Sequence, residues 1–284
     1  IEQCKDNEII NMQREVKIIS KLNHPAILKF IGFNPMNFKK DNRPTFITEL
    51  VTNGSLDTII EIEKKGLSSG EWNDTKKLIN IYGIAKGMSY LHSLNILHRD
   101  LKTGNIFIDE FLFPKIGDFG LSKEINIDES KETTKEKTQN KSGNLGTLAF
   151  MSPEIIRDNL YTKAGDVYAF AVIAYQIITN AEMFEKMTSW QVMSNITNGY
   201  RPTIPSDTKK CYRELIEKCW SQNPDERLTF DEIADTQITL YNMLQNRYVQ
   251  GIRDQVMKYY IYFQYTFNSM FYELGPLISK RKFF

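Results

Sequence analysis

The 284-residue chain is poor in cysteine, histidine and tryptophan, with three of each. Cys4, Cys211 and Cys219 are odd in number and form no CxxC pair, so neither a disulfide framework nor a zinc site is expected, and a reducing, cytoplasmic setting fits. There is no surplus of one charge: 36 Lys and Arg against 35 Asp and Glu leave a net +1. Nothing global therefore points to nucleic acid or to an anionic membrane. No apolar run can cross a bilayer; the longest, Val167 to Ile178, has 12 residues and reads as a buried helix. The start of the chain lacks the basic and apolar regions of a signal peptide and has no initiator Met, so it reads as a fragment. No internal repeat is present.

What is there is an ordinary globular balance, 41% hydrophobic and 25% charged, in a length suited to one large domain or a two-lobed unit. Apolar residues at Ile9, Met12, Val16, Ile19 and Leu22 mark one face of a helix, which Asn23-His24-Pro25 stops. Ala26 to Phe33 and Thr45 to Leu50 read as strands, with turn residues Asp41 to Pro44 between them. Ser55 is placed to cap a short helix through Ile62, and Thr75 to Leu94 is a long amphipathic helix. Short strands follow at Ile106–Ile108 and Pro114–Ile116, and the pattern after Pro153 is mainly helical. The order predicts an α+β fold in two lobes, a small mixed one and a larger helical one. Residues 123–144, with five Lys and five acids, read as a mobile polar loop, and residues 247–284 hold 11 aromatics beyond any recognisable pattern.

The chemistry concentrates in His98-Arg99-Asp100-Leu101-Lys102-Thr103-Gly104-Asn105, followed by Asp118-Phe119-Gly120. A loop Asp such as Asp100 can accept a hydroxyl proton, and Lys102 sets an ammonium two residues on. Asn105 and Asp118 carry hard oxygen donors of the kind that suits a divalent cation. Gly120 is expected to let the backbone turn. Gly146-Thr147-Leu148-Ala149-Phe150-Met151-Ser152-Pro153-Glu154, Asp166, and Cys219-Trp220 with Asn223-Pro224-Asp225-Glu226-Arg227 extend the pattern.

These motifs resemble the eukaryotic protein kinases over residues 1 to about 242. The resemblance implies a protein-kinase-like fold whose large helical lobe is complete. It implies ATP and Mg2+ as cofactors, with Asp100, Lys102, Asn105 and Asp118 catalytic and Asn105 and Asp118 holding the metal. Glu15, nine residues before His24-Pro25, matches the family's αC Glu. Thr48 aligns with the gatekeeper, the backbones of Glu49 and Val51 with the adenine-binding hinge, and Phe107 with the pocket floor. Ile19, Phe30, His98 and Phe119 align with the regulatory spine. By the same resemblance Asp166 holds the catalytic loop, Thr147 sits beside the catalytic Asp and Lys, and Arg227 pairs with Glu154.

Lys102 and Thr147 are similar to serine/threonine enzymes, whereas Gly54-Ser55-Leu56 and Cys219-Trp220 resemble tyrosine kinases. The mixture looks like the tyrosine-kinase-like group, so the implied partners are protein substrates with Ser or Thr acceptors, without nucleic acid or a membrane span. Arg99 implies pairing with a phosphorylated residue of the loop that follows, where Ser130, Thr133, Thr134, Thr138 and Ser142 are available. The chain contains no G-x-G-x-x-G and no V-A-x-K before its first helix, so the small β-lobe reads as truncated. The expected units are a partial N-lobe at 1–52, a C-lobe at 53–246 and an aromatic tail at 247–284. A non-catalytic interaction module keeping the kinase large lobe, and a small-molecule kinase of related fold, are the alternatives.

Overall fold

The computed structural model describes residues 12–34, 36, 45–125, 134–135 and 145–235. The first helix, α1, is described over residues 12–19 and buries Ile18 and Ile19. It ends in a turn at 20–21, short of the Leu22 boundary that the periodicity predicts. Strands β1 (Phe30–Asn34) and β2 (Thr45–Thr48) pair antiparallel, with an irregularity between Phe30 and Gly32. The expected strand at Ala26 is broken into two uses. Residues 26–28 leave β1 and bond instead to the large lobe, where Leu28 N–H donates to Ile116 O at 2.8 Å and Ile116 N–H to Ala26 O at 2.7 Å.

Helix α2 (Leu56–Lys64) starts after Ser55 as predicted, but the Ser55 hydroxyl turns to the Asp57 carboxylate rather than capping the backbone. Helix α3 (Asp74–Ser93) starts one residue earlier than its periodicity implies, because Asn73 Oδ1 accepts the N–H groups of Thr75 and Lys76 at 3.0 and 3.2 Å. The short pairs β3 (Ile96–Leu97) with β6 (Lys123–Glu124), and β4 (Ile106–Ile108) with β5 (Pro114–Ile116), follow.

After them come α4 (Leu145–Leu148), α5 (Pro153–Asp158), β8 (Leu160–Tyr161), α6 (Lys163–Thr179), α7 (Ser189–Thr197), α8 (Lys210–Cys219) and α9 (Phe230–Asp235). The apolar run of α6 is buried almost throughout, as its composition predicts, and α3, α8 and α9 pack around it. Ile18, Ile19 and Leu22 join the same core as Leu78, Met88 and Phe170, so the small and large lobes share one apolar interior.

The polar stretch 123–144 departs from the loop expectation at two places. It contributes β6, and it contributes β7 (Thr134–Lys135), which pairs antiparallel with β8. The rest of that stretch and the tail 247–284 lie outside the described residues. Among the described residues no helix is long and apolar enough to cross a membrane.

Candidate active site

The predicted residues converge where the β3–β4 loop meets the turn after β5. Asp100 Oδ2 accepts from Lys102 Nζ at 2.7 Å and from Asn105 Nδ2 at 3.0 Å. The same amide nitrogen also reaches the Asp100 carbonyl at 2.8 Å. Both donors engage one carboxylate oxygen, which leaves Oδ1 to face a hydroxyl. Committing Nδ2 of Asn105 to Asp100 leaves its Oδ1 as a hard ligand, and Asp118 supplies a second from the neighbouring turn. Two protein oxygens with phosphates and water completing the shell is the pattern Mg2+ favours, so the donor set fits that ion. Gly117 N–H donates to Asn105 O at 2.9 Å and ties the two loops together.

The loop is held from beneath by Asp166, near the start of α6. Its carboxylate accepts the backbone N–H of His98 at 2.9 Å and of Arg99 at 3.0 Å, and His92 Nε2 lies 3.0 Å away. Burial would push Asp166 up, yet the hydrogen bonds from His92 and from the Arg99 N–H bring it below the usual carboxylate range. His92 is the part that the sequence did not disclose, because nothing in its spacing marks it as a partner of Asp166. His98 is fully buried, its Nε2 donates to Gly117 O at 3.1 Å, and its ring centre is 5.3 Å from that of Phe119. Burial pushes His98 down, so the ring is neutral.

Two non-glycine residues bordering the site adopt left-handed backbone, Arg99 at φ +68° and Asp118 at φ +60°. The turn strain therefore sits on Asp118, and Gly120, whose φ is not left-handed, serves space instead. A Cβ at Gly120 would meet Asp118 Oδ1 at 3.4 Å and Glu15 Oε2 at 3.5 Å. Glu15 thus reaches the Asp118 turn from α1, and burial first, then the Asp118 charge, raises its pKa.

Thr48 ends β2, Glu49 and Val51 follow it toward α2, and all three are half-buried. Glu49 N–H donates to Lys29 O at 2.9 Å, and its carboxylate takes Lys29 N–H at 2.9 Å and Lys115 Nζ at 3.3 Å. The side chain is thereby used for structure, and the backbone carbonyl accepts the Thr48 hydroxyl at 3.2 Å, which leaves it one further lone pair for a ligand. Phe107 packs so close to Gly117 that a Cβ there would lie 2.8 Å from its ring.

Arg227 forms two bonds with Glu154, at 2.7 and 2.9 Å, with both residues buried. The Arg99 guanidinium stacks on Tyr161 at 4.1 Å, and Tyr161 is the register partner of Thr134. Of the five hydroxyl residues considered for phosphorylation, only the backbone of Thr134 falls within the described residues.

A family model for protein tyrosine and serine/threonine kinases matches residues 1–236. The chain belongs to this family, and its α+β architecture is the protein-kinase fold. Among its relatives is a "Probable LIM domain-containing serine/threonine-protein kinase" of Dictyostelium discoideum, 37% identical over 230 residues, which covers 80% of this chain and 33% of the relative. The RGS domain-containing serine/threonine-protein kinase A of the same organism is 32% identical over 233 residues, covering 82% of this chain and 19% of its own length. The chain thus spans a third or less of the length of these relatives.

Proposed function

We propose that the chain transfers the γ-phosphoryl group of ATP to a Ser or Thr hydroxyl of a protein. The observation that carries this reading is the joint placement of Asp100, Lys102 and Asn105 against Asp118. Asp100 Oδ1 orients the acceptor hydroxyl and takes its proton as the oxygen bonds to the γ-phosphorus and the bond to the β–γ bridging oxygen breaks, releasing ADP. Lys102, held by Asp100, places its charge beside the transferred group. Asn105 and Asp118 would hold Mg2+, which would supply charge neutralisation at the phosphates. The Glu49 carbonyl and the Val51 backbone bind adenine, with Thr48 at the back and Phe107 as floor. Glu15 aligns the nucleotide through the Asp118 turn.

Lys102 and Thr147, together with the named relatives, support Ser/Thr acceptors and a tyrosine-kinase-like member. The unit boundaries at 52/53 and 246/247 belong to this reading.

Calorimetric titration with Mg·ATP tests it, with Asp118→Ala as the control. Micromolar binding abolished by Asp118→Ala, and peptide phosphorylation abolished by Asp100→Asn, are expected. A folded chain that binds no Mg·ATP would overturn the reading and favour the non-catalytic interaction module.

A further inference from the structure

We propose that Asp57 selects the acceptor protein by pairing with a Lys or Arg side chain that flanks the phosphorylated residue. This rests on the kinase reading above. A cavity of about 400 Å3 opens beside the catalytic loop, and Lys102 and Thr147 belong to its wall. It therefore begins where a polypeptide presenting its hydroxyl to Asp100 must continue. Helix α2 and the α6–α7 connection close its other sides.

Asp57 stands in the first turn of α2 and lines this cavity. Its Oδ1 is committed to the Ser55 hydroxyl and, at 2.8 Å, to Thr58 N–H. No hydrogen bond among the described residues uses Oδ2. That oxygen lies against the catalytic loop, where a Cβ on Gly104 would come within 3.2 Å of it. The missing side chain at 104 is what lets a carboxylate stand next to the residue before Asn105.

The charges around it leave the cavity negative. Both cations on its wall are already engaged: Lys102 by Asp100 at 2.7 Å, and Lys64 by Glu185 at 3.0 Å and Glu182 at 4.0 Å. Ile60, Phe150 and Met183 supply apolar wall alongside Asp57. A wall that sets apolar side chains beside an unused carboxylate oxygen fits a side chain with an aliphatic stem and a cationic tip, which describes Lys and Arg and excludes Asp and Glu.

Ser peptides that differ only at the flanking positions, with Arg, Ala or Glu at each in turn, test the proposal. They are assayed with the unaltered chain, Asp57→Asn and Asp57→Lys, with circular dichroism and the KM for ATP recorded for each. The unaltered chain should favour Arg over Ala at one position by about tenfold in kcat/KM, as expected for one charge-assisted contact. Asp57→Asn should lose that preference, and Asp57→Lys should turn it toward Glu. Equal use of all peptides by the unaltered chain, or an Arg preference that survives Asp57→Lys, overturns it.

If no peptide is phosphorylated, the kinase reading has failed separately, and anisotropy of the same labelled peptides decides the role of Asp57. Tighter binding of the Arg peptide, lost in Asp57→Asn, supports the proposal, and equal binding refutes it.

Discussion

Asp166 is four residues into α6 and never reaches the site, yet it sets the position of Asp100 by taking the N–H groups of His98 and Arg99. Arg99 holds a left-handed backbone that costs about 1–3 kcal/mol and persists only where surrounding bonds impose it. In Asp166→Asn one carboxylate oxygen becomes an amide donor facing another donor, so the loop shifts. We expect kcat to fall by about 10²-fold with Mg·ATP binding retained, as a misplacement of about 1 Å costs; steady-state kinetics beside calorimetry reads the split. A loss of both together would show unfolding instead.

Gly117 works through space. A Cβ there would lie 2.8 Å from the Phe107 ring and 3.2 Å from Leu28. Gly117→Ala should push Phe107 into the proposed adenine pocket, raise the KM for ATP about tenfold and destabilise by about 1–3 kcal/mol. An unchanged KM would remove Phe107 from the pocket floor.

Among elements, α5 and the segment 224–227 before α9 are pinned by one buried pair. Arg227 bonds both oxygens of Glu154 and also the carbonyls of Ala164 and Ser221, at 2.9 Å each, so a single side chain ties α5, α6 and the segment after α8. Burial raises Glu154 while the bonds and charge of Arg227 pull it below its ordinary value. Removing one partner strands a buried charge. Arg227→Ala should cost about 3–5 kcal/mol by urea unfolding, and the double change Arg227→Met with Glu154→Leu should cost less than that single change. A double variant weaker than the single one would mean that the pair contributes net stability. The β7–β8 pairing is of another kind: the backbone of two residues of the polar segment, Thr134 and Lys135, pairs with that of Tyr161 and Leu160, and the Tyr161 ring carries Arg99.

At the scale of the whole molecule, the buried His24, His98, Asp166 and Glu154 share one sign of response to acid. His24 accepts Ala26 N–H on Nδ1 at 3.2 Å and stacks on Tyr90, and burial first, then Lys86 and Lys115, push it from 6.5 down to about 3. His98 is lowered by burial. A lowered folded pKa means that the stability is full above the unfolded value and is lost as pH falls below it. His24 therefore costs stability from pH 6.5 down to about 3, at about 1.4 kcal/mol per pH unit, and His98 acts in the same direction. Asp166 and Glu154, also lowered, add their losses only below about pH 4. The urea midpoint should be flat above neutrality, fall between pH 6.5 and 5, and fall less steeply in His24→Gln. A midpoint unchanged from pH 7 to pH 5 would show that His24 is not held neutral.

The residue order alone placed the chain in its family and marked Asp100, Lys102, Asn105 and Asp118 as the groups of the proposed reaction, because in-line phosphoryl transfer calls for such groups at short spacings within two adjacent loops. The α6 run was legible as a core helix because its apolar residues leave no polar face. Tertiary structure decided what spacing cannot encode. It brought His92, from α3, to the carboxylate that holds the loop before Asp100. It moved residues 26–28 out of their strand and onto β5, where the large lobe offered backbone partners. It put left-handed strain on Asp118 rather than on a glycine, and set Asp57 against Gly104. Each of these depends on contacts between segments far apart in the chain, and local propensity carries no record of a partner that only folding supplies.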